Sequence, residues 1–390
     1  MRSIIGWCIA IIMLLSSCQS TIPPVTTPET TAPTFSSTEP QTEPTVESTV
    51  PETTQPPHTI DALLDSMSIE EKVGQLFLAR CPSDTAIADI KTYHLGGYIL
   101  FARDFENRTP EEVRRNIQSY QDAAAIPMLI AVDEEGGKVC RVSQYKQFRD
   151  TPFLSPRELY TQDGLQSIFN AEQEKCELLT SLGINVNAAP VCDITTNPNA
   201  FMYPRSLGED AETTGNFVSG VINIMHQKHV GGILKHFPGY GNNTDTHTGI
   251  AVDTRTLEEL ERIDLVPFVY GIQSNCDAIM VSHTIVKCLD EVYPASLSLN
   301  VHNYLRNSMN FNGVIVTDDL VMQAITDMYG AGEAAILAVL AGNDLLCSTE
   351  YQVQYTAVLQ AVYDGRISEQ RITDAVRRVL QWKYNLGLIG

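Results

Sequence analysis

From Thr59 onward the chain alternates short apolar runs with longer amphipathic stretches, and this alternation constrains its fold more than any other feature. The runs have strand length: residues 73–79, 97–101, 128–132, 184–189, 230–234, 278–281, 313–316 and 344–347. Between them lie segments whose apolar residues recur at helical spacing, at 110–125, 165–182, 211–229, 257–273 and 332–340, and a last one follows near 368–384. A further helix start is marked by Ser68 with Glu71 three residues on, the pattern of a capping box. Eight strands alternating with helices call for an α/β fold with a parallel sheet. The expected form is a (β/α)8 TIM-type barrel rather than an open doubly wound sheet. No Gly-x-Gly-x-x-Gly or Walker sequence follows the first strand, and polar residues follow many strands instead of gathering at one switch point. Residues 58–390 exceed the ~250 typical of such a barrel, which leaves room for long loops on a single catalytic domain.

The N-terminal residues read differently. Arg2, an apolar run over 4–15 and then Leu15-Ser16-Ser17-Cys18 have the layout of a signal peptide over residues 1–17, too short for a membrane span. The same four residues resemble a bacterial lipobox, which makes Cys18 the expected lipidated N-terminus; an ordinary cleaved signal is the alternative. Residues 18–57 are almost entirely Thr, Pro, Ser and Glu, a composition that cannot bury a core and reads as a disordered tether. The expected location is therefore the outer face of a bacterial cell membrane, held by the lipid, or else the medium. The formal net charge of −21 argues against nucleic acid and against electrostatic docking on anionic lipid. The cysteines past Cys18, at 81, 140, 176, 192, 276, 288 and 347, have no C-x-x-C spacing; they read as free thiols, and no metal site or cofactor is expected.

In a barrel of this kind the loops after the strands carry function. The third run is followed by Asp133-Glu134-Glu135-Gly136-Gly137-Lys138-Val139-Cys140-Arg141, and the fourth by Asp193 and, farther on, Arg205 to Asp210. The fifth leads into Lys235 and His236, then Asp245 and His247, the sixth into His283, and the seventh into Asp318 and Asp319. An Asp-x-His pair can act as a general acid/base, because a carboxylate that accepts from one imidazole nitrogen leaves the other free to exchange a proton. A polar surface loop in which the two never touch is the other reading. Carboxylates and cations converging on one mouth suit a polyhydroxylated ligand. Asp133 and Arg205 read as ligand contacts, whereas Glu134, Glu209 and Asp319 read as ion pairs tying loops together. A metal hydrolase built on His226 and His229 would place its ligands at the wrong end of the barrel.

These motifs together resemble the single-domain β-N-acetylglucosaminidase branch of glycoside hydrolase family 3, from about Ile60 to Gly390. The resemblance rests on Asp-x-Glu-Gly-Gly-x-Val-x-Arg at 133–141, Arg-Ser-Leu-Gly at 205–208, Lys-His-Phe-Pro-Gly at 235–239, Asp-Thr-His at 245–247, Pro-Ala-Ser-Leu-Ser at 294–298 and Asp-Asp-Leu at 318–320. It implies a retaining exo-β-N-acetylglucosaminidase without cofactor, with Asp318 as nucleophile, His247 as acid/base and Asp245 orienting the imidazole. Asp133, Arg141, Arg205, Lys235 and His236 would bind the sugar. Tyr240 stands where many relatives have His, Leu207 replaces a common Phe, and the loop from Gly241 to Asp245 is one residue shorter than in some members. The alternatives are a β-glucosidase, β-xylosidase or phosphorylase on the same barrel, or a non-catalytic carbohydrate-binding lipoprotein.

Overall fold

The computed structural model describes residues 57–390 apart from 244, 247 and 248. The readings of the signal, Cys18 and nearly all of the tether, and that of His247, lie outside the described residues.

Eight parallel strands form one sheet: β1 (Phe77–Arg80), β2 (Gly97–Leu100), β3 (Leu129–Val132), β4 (Val186–Asn187), β5 (Gly231–Phe237), β6 (Ala278–Val281), β7 (Val314–Thr317) and β8 (Leu346–Ser348). Consecutive strands pair, β8 pairs with β1, and a parallel bridge between Val316 and Leu345 joins β7 to β8, so the sheet closes into the expected (β/α)8 barrel. Leu78, Ile99, Leu129, Ile233, Met280, Val316 and Cys347 belong to one buried cluster drawn from strands all round the ring, and two larger clusters join the sheet to its helices. Each of the eight apolar runs thus overlaps a barrel strand.

The largest departures from the sequence reading are at three places. The run at 73–79 begins as helix, because the Ser68/Glu71 capping box starts a turn that continues over Ile69–Gln75 and buries Val73 on its inner face. At the other end of the barrel, β5 does not stop at Leu234 but runs to Phe237, so Lys235 and His236 belong to the strand and inherit its rigidity. The segment 257–273 also divides, into Leu257–Arg262 and Val266–Gln273, with Ile263 leaving helical geometry between them.

The two glycines opening β5 are there for contact. A β-carbon on Gly231 would lie 2.7 Å from Trp382 Nε1 of the final helix Glu369–Asn385, and one on Gly232 would lie 2.6 Å from Ile222 Cδ1. Closure on the far side is fixed by Asp344, fully buried, whose carboxylate accepts from the Ile315 amide at 3.0 Å and meets Arg306, Arg378 and Arg371.

Beside Trp382, Lys383 is also fully buried, and its Nζ donates to Gln75 Oε1 at 2.7 Å. Burial pushes its pKa down to about 7. A lysine depressed in this way favours the fold above the unfolded value near 10.4 and loses that contribution as pH falls through about 7. Lys383→Met is therefore expected to raise the melting temperature. Its advantage over wild type should grow by about 2–3 kcal/mol between pH 9 and pH 6 in denaturant titrations. An advantage independent of pH would mean that Lys383 keeps its ordinary affinity for the proton in the fold and is charged throughout that range.

Candidate active site

The strand ends facing the long loops open on a cavity of about 620 Å³. Its walls include Asp133, Arg141, Arg205, Lys235, His236, Asp245 and Asp318, which come from the ends or following loops of four different strands. All the expected site residues that the structure describes therefore meet in one place.

Lys235 is the centre of the arrangement. Its ammonium, almost wholly buried, donates to Asp133 Oδ1 at 2.7 Å and lies 2.6 Å from Glu135 Oε1. Glu135 in turn receives two parallel hydrogen bonds from Arg205, Nε to Oε2 at 2.9 Å and Nη2 to Oε1 at 2.7 Å. Two cations and two carboxylates thus form a balanced chain. Burial works against ionisation of Glu135, but the Arg205 guanidinium and the Lys235 ammonium outweigh it and hold the carboxyl well below the usual range. Burial also opposes the charge on Lys235, and Asp133 and Glu135 overcome it and raise the pKa.

His236 continues the chain. Its Nδ1 is 2.8 Å from Asp193 Oδ2 and its Nε2 is 3.3 Å from Arg205 Nη2. A carboxylate only accepts and a guanidinium only donates, so Nδ1 carries the proton, Nε2 accepts, and the ring is neutral. Asp193 also accepts from the backbone amides of His236 at 3.1 Å and Tyr240 at 2.7 Å. It fixes the path of the chain as well as the imidazole.

Asp318 follows β7 directly, its amide donating to Val281 O at 3.1 Å and its Oδ1 accepting from the Asp319 amide at 2.9 Å. Asp319 is not the ion-pair partner expected of it. Its carboxylate takes the Thr349 amide at 3.1 Å, the Thr349 hydroxyl at 2.5 Å and the Val321 amide at 3.1 Å, joining the ends of β7 and β8. Burial raises its pKa. Glu134, fully buried, likewise binds no cation; it accepts from the amides of Arg141 and Val142 at 2.8 and 2.7 Å and from Ser143, shaping the turn that presents Arg141. His283 contacts Ser296 Oγ at 2.7 Å and Asp319 O at 3.0 Å. His226 meets Asp277 at 3.3 Å, ahead of β6 and so at the opposite end of the barrel from the cavity.

The sequence reading passed over Glu135 and Arg80. Glu135 was legible: residues two apart in extended backbone share a face, and the short hairpin Glu134–Gly136 with Val139–Cys140 puts Asp133 and Glu135 on Lys235 while Glu134 turns to the backbone. Arg80 ends β1 on the cavity wall, its guanidinium carbon 4.7 Å from the centre of the Phe101 ring; Arg141 lies over the same ring at 5.7 Å and 3.9 Å from Asp133 Oδ2. Nothing in the spacing of Arg80 marks it, because its contact is with a ring that follows the neighbouring strand β2.

The family pattern described as the glycosyl hydrolase family 3 N-terminal domain matches residues 68–382. The chain belongs to glycosyl hydrolase family 3. It is thus a glycosidase. A β-hexosaminidase of Stenotrophomonas maltophilia is 31% identical over 312 residues, covering 74% of this chain and 91% of that one. Among solved structures, a glycoside hydrolase family 3 β-N-acetylglucosaminidase from Paenibacillus superposes with a TM-score of 0.77 at 34% identity, covering 83% of this chain and 63% of that one. The M tuberculosis protein LpqI superposes with a TM-score of 0.76 at 27% identity, covering 83% and 96%. The long excursion between β5 and β6 carries the Asp-x-His motif, and Tyr240 within it is buried, its hydroxyl bonded to Thr246 Oγ1.

Proposed function

We propose that the protein is a retaining, exo-acting β-N-acetylglucosaminidase that removes terminal β-linked N-acetylglucosamine through a covalent glycosyl-Asp318, with His247 as acid/base and Asp245 orienting its imidazole. The observation that carries this reading is the meeting of Asp318 and Asp245 with Asp133, Arg141, Arg205, Lys235 and His236 on one cavity. Its volume of about 620 Å³ suits a sugar with part of its aglycone.

In the first step the Asp318 carboxylate attacks the anomeric carbon, the bond to the leaving oxygen breaks, and that oxygen takes a proton from the His247 imidazolium. In the second, the neutral imidazole removes a proton from water, which attacks the same carbon and releases Asp318, returning the β-anomer. Lys235, Arg205 and Asp133 can each exchange hydrogen bonds with ring hydroxyls without moving, because Lys235 holds Asp133 and Glu135 holds both Lys235 and Arg205. The preference for the 2-acetamido sugar is supported by the β-hexosaminidase and β-N-acetylglucosaminidase relatives.

The test is turnover of the 4-nitrophenyl β-glycosides of N-acetylglucosamine, glucose and xylose side by side, with and without inorganic phosphate. N-acetylglucosaminide is expected to be turned over with the highest kcat/KM, releasing the free sugar. A higher value for glucoside or xyloside, or a sugar 1-phosphate as product, would replace this reading with one of the other family activities. No turnover of any of the three by folded protein would favour a binding role.

A further inference from the structure

The excursion from β5 leaves at Phe237 and is recaptured at Val252–Asp253, which pairs in parallel with Ile285–Val286. One side chain joins its two ends. Arg255 donates to Asp253 through Nε, at 3.1 and 3.0 Å to the two carboxylate oxygens, and through Nη2 at 2.6 Å, and its Nη2 also reaches Gly239 O at 3.4 Å. Its Nη1 donates to Asp264 Oδ2 at 2.6 Å, and both Asp253 and Asp264 are almost wholly buried.

The backbone is fitted to this clamp. Gly239 has φ +117 and a β-carbon there would lie 2.8 Å from Asp264 Oδ1; Gly241 has φ +54 and one there would lie 2.7 Å from Arg255 Nη2. Between the two glycines Tyr240 points inward. Its amide is held by Asp193, the same carboxylate that orients His236, and its hydroxyl reaches across to Thr246, the neighbour of Asp245.

We infer that Arg255 and Tyr240 are positioning residues for the acid/base dyad, Arg255 clamping the ends of residues 239–253 from outside and Tyr240 propping Thr246, and with it Asp245, from within. The inference rests on the reading of Asp245 and His247 as the dyad. Neither residue lines the cavity described above, so each acts through others. A misplaced acid harms departure of a poor leaving group most, since an activated aryloxide leaves with little protonation.

The experiment compares kcat/KM, which reports glycosylation, for a β-linked N-acetylglucosamine disaccharide and for the 2,4-dinitrophenyl glycoside, in wild type, His247→Ala, Tyr240→Phe and Arg255→Lys. Tyr240→Phe removes only the hydroxyl and Arg255→Lys keeps the charge, and thermal melts run alongside. His247→Ala is expected to lose at least about 100-fold more on the disaccharide than on the activated glycoside, within the usual range for general acid catalysis. Tyr240→Phe and Arg255→Lys are expected to show the same bias at about tenfold, with KM changing less than kcat. If His247→Ala shows the bias and both other variants, folded, lose equally on the two substrates, the positioning role is overturned. If His247→Ala itself shows no bias, the dyad reading fails instead.

Discussion

Asp318→Ala is expected to reduce hydrolysis of every β-glycoside, activated or not, to background while leaving the fold intact. The side chain sits at the end of β7, where its amide is spent on Val281 O and one carboxylate oxygen accepts from the Asp319 amide. Removing it deletes the proposed nucleophile, and neither Asp319 nor Asp133 is free to replace it. Asp319 is committed to Thr349 and Val321, and Asp133 to Lys235. A retaining mechanism has no path without the covalent intermediate, so the loss should not depend on the leaving group, unlike that in His247→Ala. Nitrophenyl release measured beside a thermal melt checks this. Turnover of the 2,4-dinitrophenyl glycoside within about tenfold of wild type, a loss near 1.4 kcal/mol in the barrier, would remove Asp318 from the nucleophile's role.

The parts of this molecule that were legible in the sequence are those set by short-range rules. The barrel was legible because eight strand-length apolar runs are interleaved with segments of helical spacing, and the site because charged residues follow those runs directly. The first run misled because Val73 and Leu76 are as apolar as the strand they precede, and only the cap at Ser68 says helix. The helix Tyr351–Tyr363 escaped notice because its buried face includes Gln354 and two tyrosines, so its apolar stripe is broken. The roles of Glu134 and Asp319 were misread for a different reason. A carboxylate can be satisfied by backbone amides as well as by a cation, and which of the two meets it depends on how a turn closes, which spacing does not encode. Arg255 lay in plain view beside Asp253, yet its second partner, Asp264, comes into reach only because the segment 257–273 breaks where the sequence pattern ran on.

The largest stability effect expected at the site is that of Glu135→Gln. The substitution keeps shape and removes one charge from a buried chain of four, leaving Lys235 and Arg205 to share Asp133 and the neutral His236. Breaking a buried pair by deleting one partner typically costs about 3–5 kcal/mol, because the other charge is left without compensation. The amide nitrogen of Gln would also face one of the two cations as a donor facing a donor. Denaturant unfolding should therefore show a drop of that order, and the double variant Glu135→Gln/Arg205→Met should be less destabilised than the sum of the single changes, since it removes both ends of one bidentate contact. The pH dependence has a definite sign. Glu135 is held far below the ordinary carboxylate value in the fold, so its contribution is fully present above the unfolded value near 4.3 and is lost only as pH falls toward the folded one. The gap between wild type and Glu135→Gln should accordingly stay constant from neutral pH to about pH 5 and narrow only in stronger acid. Because Lys235 and Arg205 are proposed to hold the sugar, kcat/KM should fall together with stability, and a variant that unfolds more easily yet keeps wild-type kcat/KM would separate the network's structural role from binding.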